Sequence, residues 1–358
     1  MGPLASRELR GAEYGIISKC CQLGDAGTQG SWSLLMAAEA LPTPLALPPL
    51  VALVGATGTG KSNLALSVAR ELGESGVAAE IINADAMQLY RGMDIGTAKV
   101  PESQREEIPH HVLDIWDVTR EASVADYQGI ARAAIRDVQS RGAVPLLVGG
   151  SGLYVSAVLY EFEFPGTDPA VRARLEQRLE HEGIEVLLAD LAAKDPLAAA
   201  AIDPKNTRRV IRALEVIEVT GTPFGAGLDA EHRPWQERSL VFGLHRDREV
   251  LVEALDRRVL DMWEEGFVDE VRGLIPAGIE RGPTASRAIG YQQVLEYLAG
   301  QLSERDAIES TQALTRRYAR RQVSWFRRDQ HTVWLQGEDT GAPHQVATAI
   351  RATQHMTP

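Results

Sequence analysis

The chain has 358 residues, of which 44% are hydrophobic and 24% are charged, ordinary values for a globular protein of two modest domains or one domain with a large insertion. A net charge of −12 argues against a generally basic coat for nucleic acid but leaves room for a local basic surface. The two cysteines are adjacent and no Cys/His metal-ligand spacing occurs, so we expect a reduced, cytoplasmic protein. No apolar run approaches the roughly 20 residues that a membrane span needs.

The first part of the chain has no sustained periodicity and ends in a proline-punctuated stretch over residues 41–49. We therefore predict a disordered extension over residues 1–48. A targeting peptide is the alternative, but scattered acidic residues and the lack of a cleavage-type pattern count against it.

The strongest motif, Gly-x-x-x-x-Gly-Lys-Ser, follows an apolar run at residues 51–54 and precedes apolar residues at helical spacing over 63–72. Strand, loop and helix in this order are the context in which such a loop binds phosphate. Its backbone N–H groups and the helix N-terminus attract an anion, Lys61 adds a full charge, and Ser62 can offer its hydroxyl to Mg²⁺. The predicted diphosphate-binding residues are Gly55, Ala56, Thr57, Gly58, Thr59, Gly60, Lys61 and Ser62.

A second predicted strand, over residues 78–84, delivers Asp85 to its C-terminal end. Ligands of open α/β sheets bind at the carboxyl ends of the strands, so we expect Asp85 and Lys61 to face one crevice. The polar segment after Asp85 contains Arg91 and Lys99, and each is either a solvated surface charge or, next to a phosphate site, a phosphate contact.

A further buried strand over residues 144–148 ends in Gly149-Gly150-Ser151. An NTPase of this fold usually carries an acidic residue at such a strand end, to organise magnesium and water. Ordinary NTP hydrolysis is therefore poorly supported, although Asp114 or Asp117 could supply the acid. The two glycines permit close approach of a ligand, and Ser151 can hydrogen-bond to it.

Basic residues cluster in two helical regions. No β period occurs from residue 165 to about 234, and a helix predicted over residues 203–217 carries Arg208, Arg209 and Arg212 near its start, against its own dipole. The last long helix holds six arginines and three aromatic residues between 316 and 328. From this helix, the residues expected to contact nucleic-acid phosphates or bases are Arg320, Arg321, Trp325, Arg327 and Arg328.

These patterns predict an α/β fold: a P-loop-type parallel sheet flanked by helices, with an α-helical insertion domain and C-terminal helices. We place the core at residues 49–164 and 239–335 and the insertion at 165–238. Residues 336–358 are predicted to be a flexible tail.

Taken together, the motifs resemble the tRNA dimethylallyltransferases, a family that prenylates an adenosine beside the anticodon. The resemblance spans about residues 50–330 and is most specific in the segment from Asp85 to Lys99. The departures from the family pattern are Ala56 for a frequent proline, Ala86 for a frequent serine and Ser151 for threonine. The blocks that carry it are residues 55–62, 85–99, 110–114, 147–154, 209–216, 288–291 and 320–328.

The resemblance implies dimethylallyl diphosphate as donor, Mg²⁺ as cofactor and a tRNA anticodon stem-loop as acceptor, with a monomer as our expectation. The implied reaction modifies N6 of the adenosine 3′ to the anticodon in tRNAs that read codons starting with U. Asp85 is implied to be the acid-base residue, with Lys61 and Ser151 as further catalytic residues. The implied tRNA-contacting residues are Asp85, Ala86, Met87, Gln88, Ser151, Arg208, Arg209 and Arg212.

Three alternatives remain open at the level of sequence. A transferase acting on free adenine nucleotides would share the loop and Asp85 but would not need the insertion or the arginine-rich helix. A small-molecule kinase is disfavoured by the missing acid after Val148. A non-catalytic nucleic-acid-binding module would leave the loop and Asp85 without a role.

Overall fold

We analysed a computed structural model, in which the described residues are 47–105, 107–162, 164–224 and 233–354. Residues 1–46 of the extension predicted over 1–48, which include both cysteines, therefore lie outside the described residues. Six parallel strands form one sheet among them, in the spatial order β3-β2-β4-β1-β5-β6. The strands are β1 Leu50–Gly55, β2 Ala79–Asn83, β3 His110–His111, β4 Val144–Gly149, β5 Ser239–His245 and β6 Val333–Gln336.

Helices flank the sheet and lie between and after its strands along the chain, which confirms the predicted α/β fold. The strands predicted over residues 51–54, 78–84 and 144–148 correspond to β1, β2 and β4. The helices in the described residues are α1 Lys61–Glu74, α2 Val124–Ser140, α3 Gly152–Leu159, α4 Pro169–Glu182, α5 Ile184–Lys194, α6 Pro196–Ala201, α7 Thr207–Thr220, α8 Arg248–Glu264, α9 Phe267–Leu274, α10 Tyr291–Leu298, α11 Glu304–Phe326 and α12 Ala342–Gln354.

β1 is the central strand, and all six of its residues are buried. Side chains alternate between the two faces of a strand. Accordingly, Leu50, Ala52 and Val54 join the core on the side of α2 and α3, whereas Val51 and Leu53 join the core on the side of α1 and α12. Burial on both faces explains why β1 is continuously apolar in sequence.

The C-terminal segment corrects one sequence prediction. The flexible tail predicted from residue 336 is wrong for the described residues up to 354, because α12 packs against α1. Val346, Ala347 and Ile350 are fully buried there. Their apolar stripe has a helical period, and it shares one core with the buried apolar residues of α1.

The helices α4 to α7 bury a core of their own, separate from the two cores of the sheet. Leu175, Leu187 and Leu214 are fully buried in it. The helix α7 ends at Gly221, whose φ of 71° is the left-handed conformation that glycine adopts readily.

Within the described residues, no helix has both the length and the apolar character needed to cross a bilayer.

The docking of α12 can be tested through Ile350. Replacing it with alanine removes apolar contacts and leaves a cavity, so Ile350→Ala should lower the free energy of unfolding by about 2–5 kcal/mol. Urea denaturation measures this change. Thr348→Ala, on the exposed side of the same helix, is the matched control and should change stability by less than about 0.5 kcal/mol. Equal stability of the two variants would contradict the packing.

Candidate active site

The loop between β1 and α1 is compact, and two of its glycines are required by geometry. Gly55 has a φ of 144°, and a Cβ there would lie 2.5 Å from the Leu244 carbonyl oxygen of β5. Gly58 has a φ of 82°, which side-chain-bearing residues rarely adopt. Thr59 Oγ1 and Lys61 Nζ both donate to the Ala56 carbonyl, at 2.8 and 2.7 Å. The loop is thus folded around its lysine.

Lys61 lies at the start of α1 in a partly desolvated position. Burial lowers the pKa of Lys61 to about 8, the negative charge of Asp85 opposes this shift, and Arg258 adds to it. The charge of Asp85 thus acts on Lys61, so the end of β2 and the loop are electrostatically coupled. The crevice predicted between them stays a prediction.

Arg258 on α8 is a site residue that sequence reasoning missed. Its Nη1 donates to Thr57 Oγ1 in the loop at 2.9 Å, so a cation from a distant helix lies against the phosphate-binding loop. Burial lowers the pKa of Arg258, and Asp85 opposes the shift. The sequence contains a signal for this position. Arg258 is three residues after Leu255 and next to Val259, so it lies along the buried stripe of α8.

Arg246, just after β5, is a second cation that was missed. Its Nη1 donates to the Gly58 carbonyl at 3.0 Å, and its guanidinium also pairs with Glu338 at 2.6 Å. Because the segment from 245 to 248 has no periodic pattern in the sequence, only the pairing of β5 with β1 brings Arg246 to the loop.

Asp85 directly follows Ala84 at the end of β2 and is held by local hydrogen bonds. Asn83 Oδ1 accepts from the Asp85 N–H at 2.9 Å, and Asn83 Nδ2 donates to the Asp85 carbonyl at 3.0 Å. Asp85 Oδ1 accepts from the Met87 N–H at 2.9 Å, an Asx turn that orients the carboxylate.

Ser151 joins the ends of β2 and β4. Its Oγ accepts from the Ala86 N–H at 3.2 Å and lies 3.4 Å from the Tyr318 hydroxyl of α11. Burial raises the pKa of Tyr318 to about 12, and the charge of Asp85 acts in the same direction. Ser151, Tyr318 and Asp85 therefore border the same small region.

The segment after Asp85 is held in place by hydrogen bonds within itself and to Glu270. Gln88 Nε2 donates to the Thr97 carbonyl at 3.1 Å. The carboxylate of Glu270 accepts the backbone N–H groups of residues 94, 95 and 96, and also the Tyr291 hydroxyl. Gln88 and its neighbour Met87 are half-buried.

The two basic residues of this segment have different environments. Lys99 is not a phosphate ligand, because its side chain is 3% exposed and its ammonium pairs with Asp94 at 2.5 Å and Asp114 at 2.6 Å. Arg91 is exposed and pairs with Asp117 at 3.0 Å, as a surface charge would.

The three arginines of α7 have different environments. Arg208 is exposed and pairs with Glu121 at 2.5 Å. Its charge lowers the pKa of Tyr154, whereas the charge of Asp85 raises it. Arg209 is exposed, with its guanidinium 5.8 Å from the Phe224 ring centre.

Arg212 has partners within the chain, and its predicted tRNA contact stays a prediction. Its guanidinium pairs with the fully buried Glu215 at 2.8 Å and donates to the Pro165 carbonyl at 2.7 Å. Arg172 pairs with the same carboxylate at 3.0 Å, because a buried charge needs such partners.

The arginine-rich part of α11 is divided between two surfaces. Arg320 and Arg327 line a cavity of about 1120 Å³ beside Ala56 and Thr59 of the loop. Its other walls come from α8, the end of β5, β6 and the second half of α11, and neither Asp85 nor Ser151 lines it.

The second surface of α11 faces the end of β4. Arg321 lies 5.7 Å from the ring centre of Tyr318, and Trp325 Nε1 donates to Ser156 Oγ at 3.3 Å. Trp325 is 39% exposed and Arg328 is also exposed. Residues three or four apart share a face of a helix, whereas neighbours in sequence point in different directions. A cluster that is continuous in sequence therefore need not form one surface.

The metal expectation concerns Ser62, which is half-buried in the first turn of α1. Among the described residues, no group of three or more His, Cys, Asp or Glu side chains could hold a metal ion. Mg²⁺ prefers oxygen ligands and is often bound by one or two protein groups together with substrate phosphates. A hydroxyl beside a phosphate loop fits that second arrangement.

A parallel sheet whose central strand leads into a phosphate-binding loop and a helix places the chain in the P-loop class of α/β proteins. A family model described as IPP transferase matches residues 88–329. The tRNA dimethylallyltransferase of Clavibacter sepedonicus is 58% identical over 308 residues, covering 86% of this chain and 100% of that protein. The tRNA dimethylallyltransferase of Mycobacterium tuberculosis is 51% identical over 314 residues, with coverages of 86% and 99%.

Solved structures agree with these relatives. A full-length tRNA isopentenylpyrophosphate transferase from Bacillus halodurans matches with a TM-score of 0.61 and 38% identity, over 86% of this chain and 97% of that one. A eukaryotic dimethylallyltransferase acting on tRNA matches with a TM-score of 0.69 and 28% identity, over 85% and 77%. The chain belongs to the IPP transferase family.

The lowered pKa of Lys61 predicts a pH dependence of anion binding. Lys61 is charged below pH about 8 and loses its charge above it, so the affinity for inorganic pyrophosphate should fall as pH rises through about 8. Calorimetric titration across this range measures the change. Pyrophosphate itself titrates, so the reference is Lys61→Arg, which keeps its charge and should lose less affinity at high pH. A constant ratio between the two proteins would contradict the assignment.

Proposed function

We propose that the chain is a tRNA dimethylallyltransferase, which transfers a dimethylallyl group from dimethylallyl diphosphate to N6 of the adenosine 3′ to the anticodon. Its substrates are tRNAs that read codons starting with U. The relatives named above support the reaction. The observation that carries the proposal is the shared environment of Lys61 and Asp85, which sets an anion site beside a carboxylate base.

The loop, Lys61 and Arg258 hold the diphosphate in this mechanism. As the allylic C–O bond breaks, negative charge grows on the leaving diphosphate, and fixed cations stabilise that charge more than they stabilise the ground state. Burial makes Lys61 and Arg258 effective here, since charges interact more strongly away from bulk water. Mg²⁺ held by Ser62 and the phosphate oxygens would supply further charge neutralisation.

Asp85 activates the acceptor. An exocyclic adenine amine is a poor nucleophile because its lone pair is delocalised into the ring. The Met87 N–H holds Asp85 Oδ1, so Oδ2 is the oxygen that we assign as base. It accepts a hydrogen bond from the N6 amine, takes its proton as the new N–C bond forms, and diphosphate leaves with the electrons of the broken C–O bond.

The donor and the acceptor reach the site from different surfaces in this proposal. The cavity lined by Arg320 and Arg327 combines arginines with apolar walls and adjoins the loop, which suits an anion with a short hydrocarbon tail. We therefore assign these two arginines to the donor's approach and no longer to tRNA. The surface around Asp85, Arg208, Arg321 and Trp325 is left for tRNA, whose target base must leave its stack to reach Asp85.

The helices α4 to α7 complete the acceptor side of the proposal. Arg208 and Arg209 are exposed on α7, and Arg208 lies close enough to Tyr154 to affect it electrostatically. Splayed single-stranded loops are bound through phosphates and stacked bases, which arginine and aromatic side chains provide. A free adenine nucleotide as acceptor would leave this surface without a ligand. Cytoplasmic location and the monomeric state stay predictions.

One labelling experiment tests the function. The protein is incubated with labelled dimethylallyl diphosphate and either tRNA or AMP, and the label is followed. We expect label on tRNA. Label on AMP would instead indicate the free-nucleotide transferase, and phosphate release from ATP without label transfer would indicate a kinase.

Asp85→Asn tests the base assignment, since an amide preserves the shape and the hydrogen bond from Met87 but cannot accept a proton. We expect single-turnover prenyl transfer to fall by about 10²–10⁴-fold, with tRNA affinity within about twofold of the wild type. The control is Asp126→Asn, an exposed carboxylate on α2 that pairs with Arg120. Near-normal transfer by Asp85→Asn would remove Asp85 as the base.

Arg208→Ala combined with Arg321→Ala tests the acceptor surface. If each arginine neutralises one phosphate, the slope of log affinity for tRNA against log salt should become shallower by about 1.4–1.8. Filter binding between 50 and 200 mM salt (about the range in which such slopes are resolved) provides the measurement. Arg305→Ala, an exposed arginine at the far end of α11, is the control. An unchanged slope would exclude the two arginines from the interface.

A further inference from the structure

Gln322 on α11 is a buried amide, 4% exposed, that contacts the active site without a role in the mechanism above. Its Oε1 accepts a hydrogen bond from the Thr57 N–H of the loop at 2.9 Å. Its Nε2 donates to the Gly150 carbonyl at the end of β4 at 2.8 Å. One side chain therefore joins three segments that are far apart in sequence: the loop, the end of β4 and α11.

The site around this amide has the shape of a glutamine side chain. A primary amide offers an acceptor and a donor at opposite ends, and Gln322 uses both. Gly150 leaves the necessary space, because a Cβ at that position would overlap Gln322 Nε2. Tyr318 lies one turn earlier on α11, Gln322 lowers its pKa, and its hydroxyl is 3.4 Å from Ser151 Oγ. The polar groups around Gln322 are thus arranged as one network.

Thr57 is the loop residue on which this network acts. Gln322 holds its backbone N–H, and Arg258 Nη1 holds its side-chain oxygen at 2.9 Å. The Thr57 N–H therefore points at α11 and is unavailable to a phosphate. Fixing Thr57 fixes the turn of the loop that follows and the oxygen to which Arg258 is bound.

We propose that Gln322 is a positioning residue for the diphosphate: it holds the loop in its anion-binding conformation and, through Thr57, holds Arg258 against the leaving group. This proposal rests on the function proposed above. Without the amide, the Thr57 N–H and the Gly150 carbonyl lose their partners in a buried place, where an unpaired polar group is costly. The loop must then rotate to find other partners, and Arg258 moves with it.

The test is Gln322→Met, which keeps the length of the side chain and removes both hydrogen bonds. Calorimetric titration of the full-length chain with inorganic pyrophosphate and Mg²⁺ should show an affinity at least about tenfold weaker than wild type, which equals about 1.4 kcal/mol. The KM for dimethylallyl diphosphate should rise by a similar factor. Affinity for tRNA should stay within about twofold.

Gln312→Met is the matched control. Gln312 lies on the same helix and its Nε2 donates to the Asp256 carbonyl of α8 at 3.0 Å, away from the loop. A purely structural role for Gln322 predicts similar losses of melting temperature in the two variants and no selective loss of pyrophosphate binding. Should Gln322→Met lack the circular dichroism spectrum of the wild type, Gln322→Asn replaces it, since its shorter side chain cannot reach both partners.

The outcomes separate clearly. Pyrophosphate affinity within about twofold of the Gln312→Met control would overturn the proposal, and so would equal losses of tRNA and pyrophosphate binding. Pyrophosphate binding needs no prenyl transfer. If Gln322→Met weakens pyrophosphate binding but the wild-type chain transfers no label to tRNA, the proposed function is overturned and the role of Gln322 in anion binding stands.

Discussion

The rest of the structure depends on the close approach of the ends of β1, β2, β4 and β5 at one edge of the sheet. Gly55 ends β1 against β5, Gly149 ends β4 against Ala84, and Gly150 lies against the loop and Gln322. Side chains at these positions would push the strand ends apart. Because only hydrogen atoms stand there, the phosphate-binding loop, Asp85 and Ser151 come within one small region at the carboxyl edge.

Charge is then concentrated in that region. Burial lowers the pKa of both Lys61 and Arg258, Arg258 adds to the effect on Lys61, and the charge of Asp85 opposes the shift at both groups. Such an arrangement is costly in the free protein and becomes favourable when a multiply charged anion arrives. The other charges of the segment after Asp85 are already neutralised: Lys99 has two carboxylate partners, and Glu270 accepts backbone N–H groups.

Much of this could be predicted from the sequence where the chemistry is local. The loop, its flanking strand and helix, and Asp85 at the end of the next strand are contained in two short segments. The environments of isolated charges could not be predicted in this way. Lys99 and Arg212 are ion-pair partners of carboxylates, whereas Arg258 faces the loop. Composition alone does not distinguish these environments.

The sequence by itself determined the fold class and located the glycine-rich loop and Asp85 at strand ends, because the alternation of strands and helices follows from short-range periodicity and from glycine positions. Only the tertiary structure decided which distant side chains complete the site. Arg246, Arg258 and Gln322 reach the loop across 188, 201 and 265 residues. Their roles arise from packing of β5, α8 and α11 against β1, and long-range packing leaves no fixed spacing in the sequence. The loop thus acquires its cations and its support from elements that no local motif connects to it.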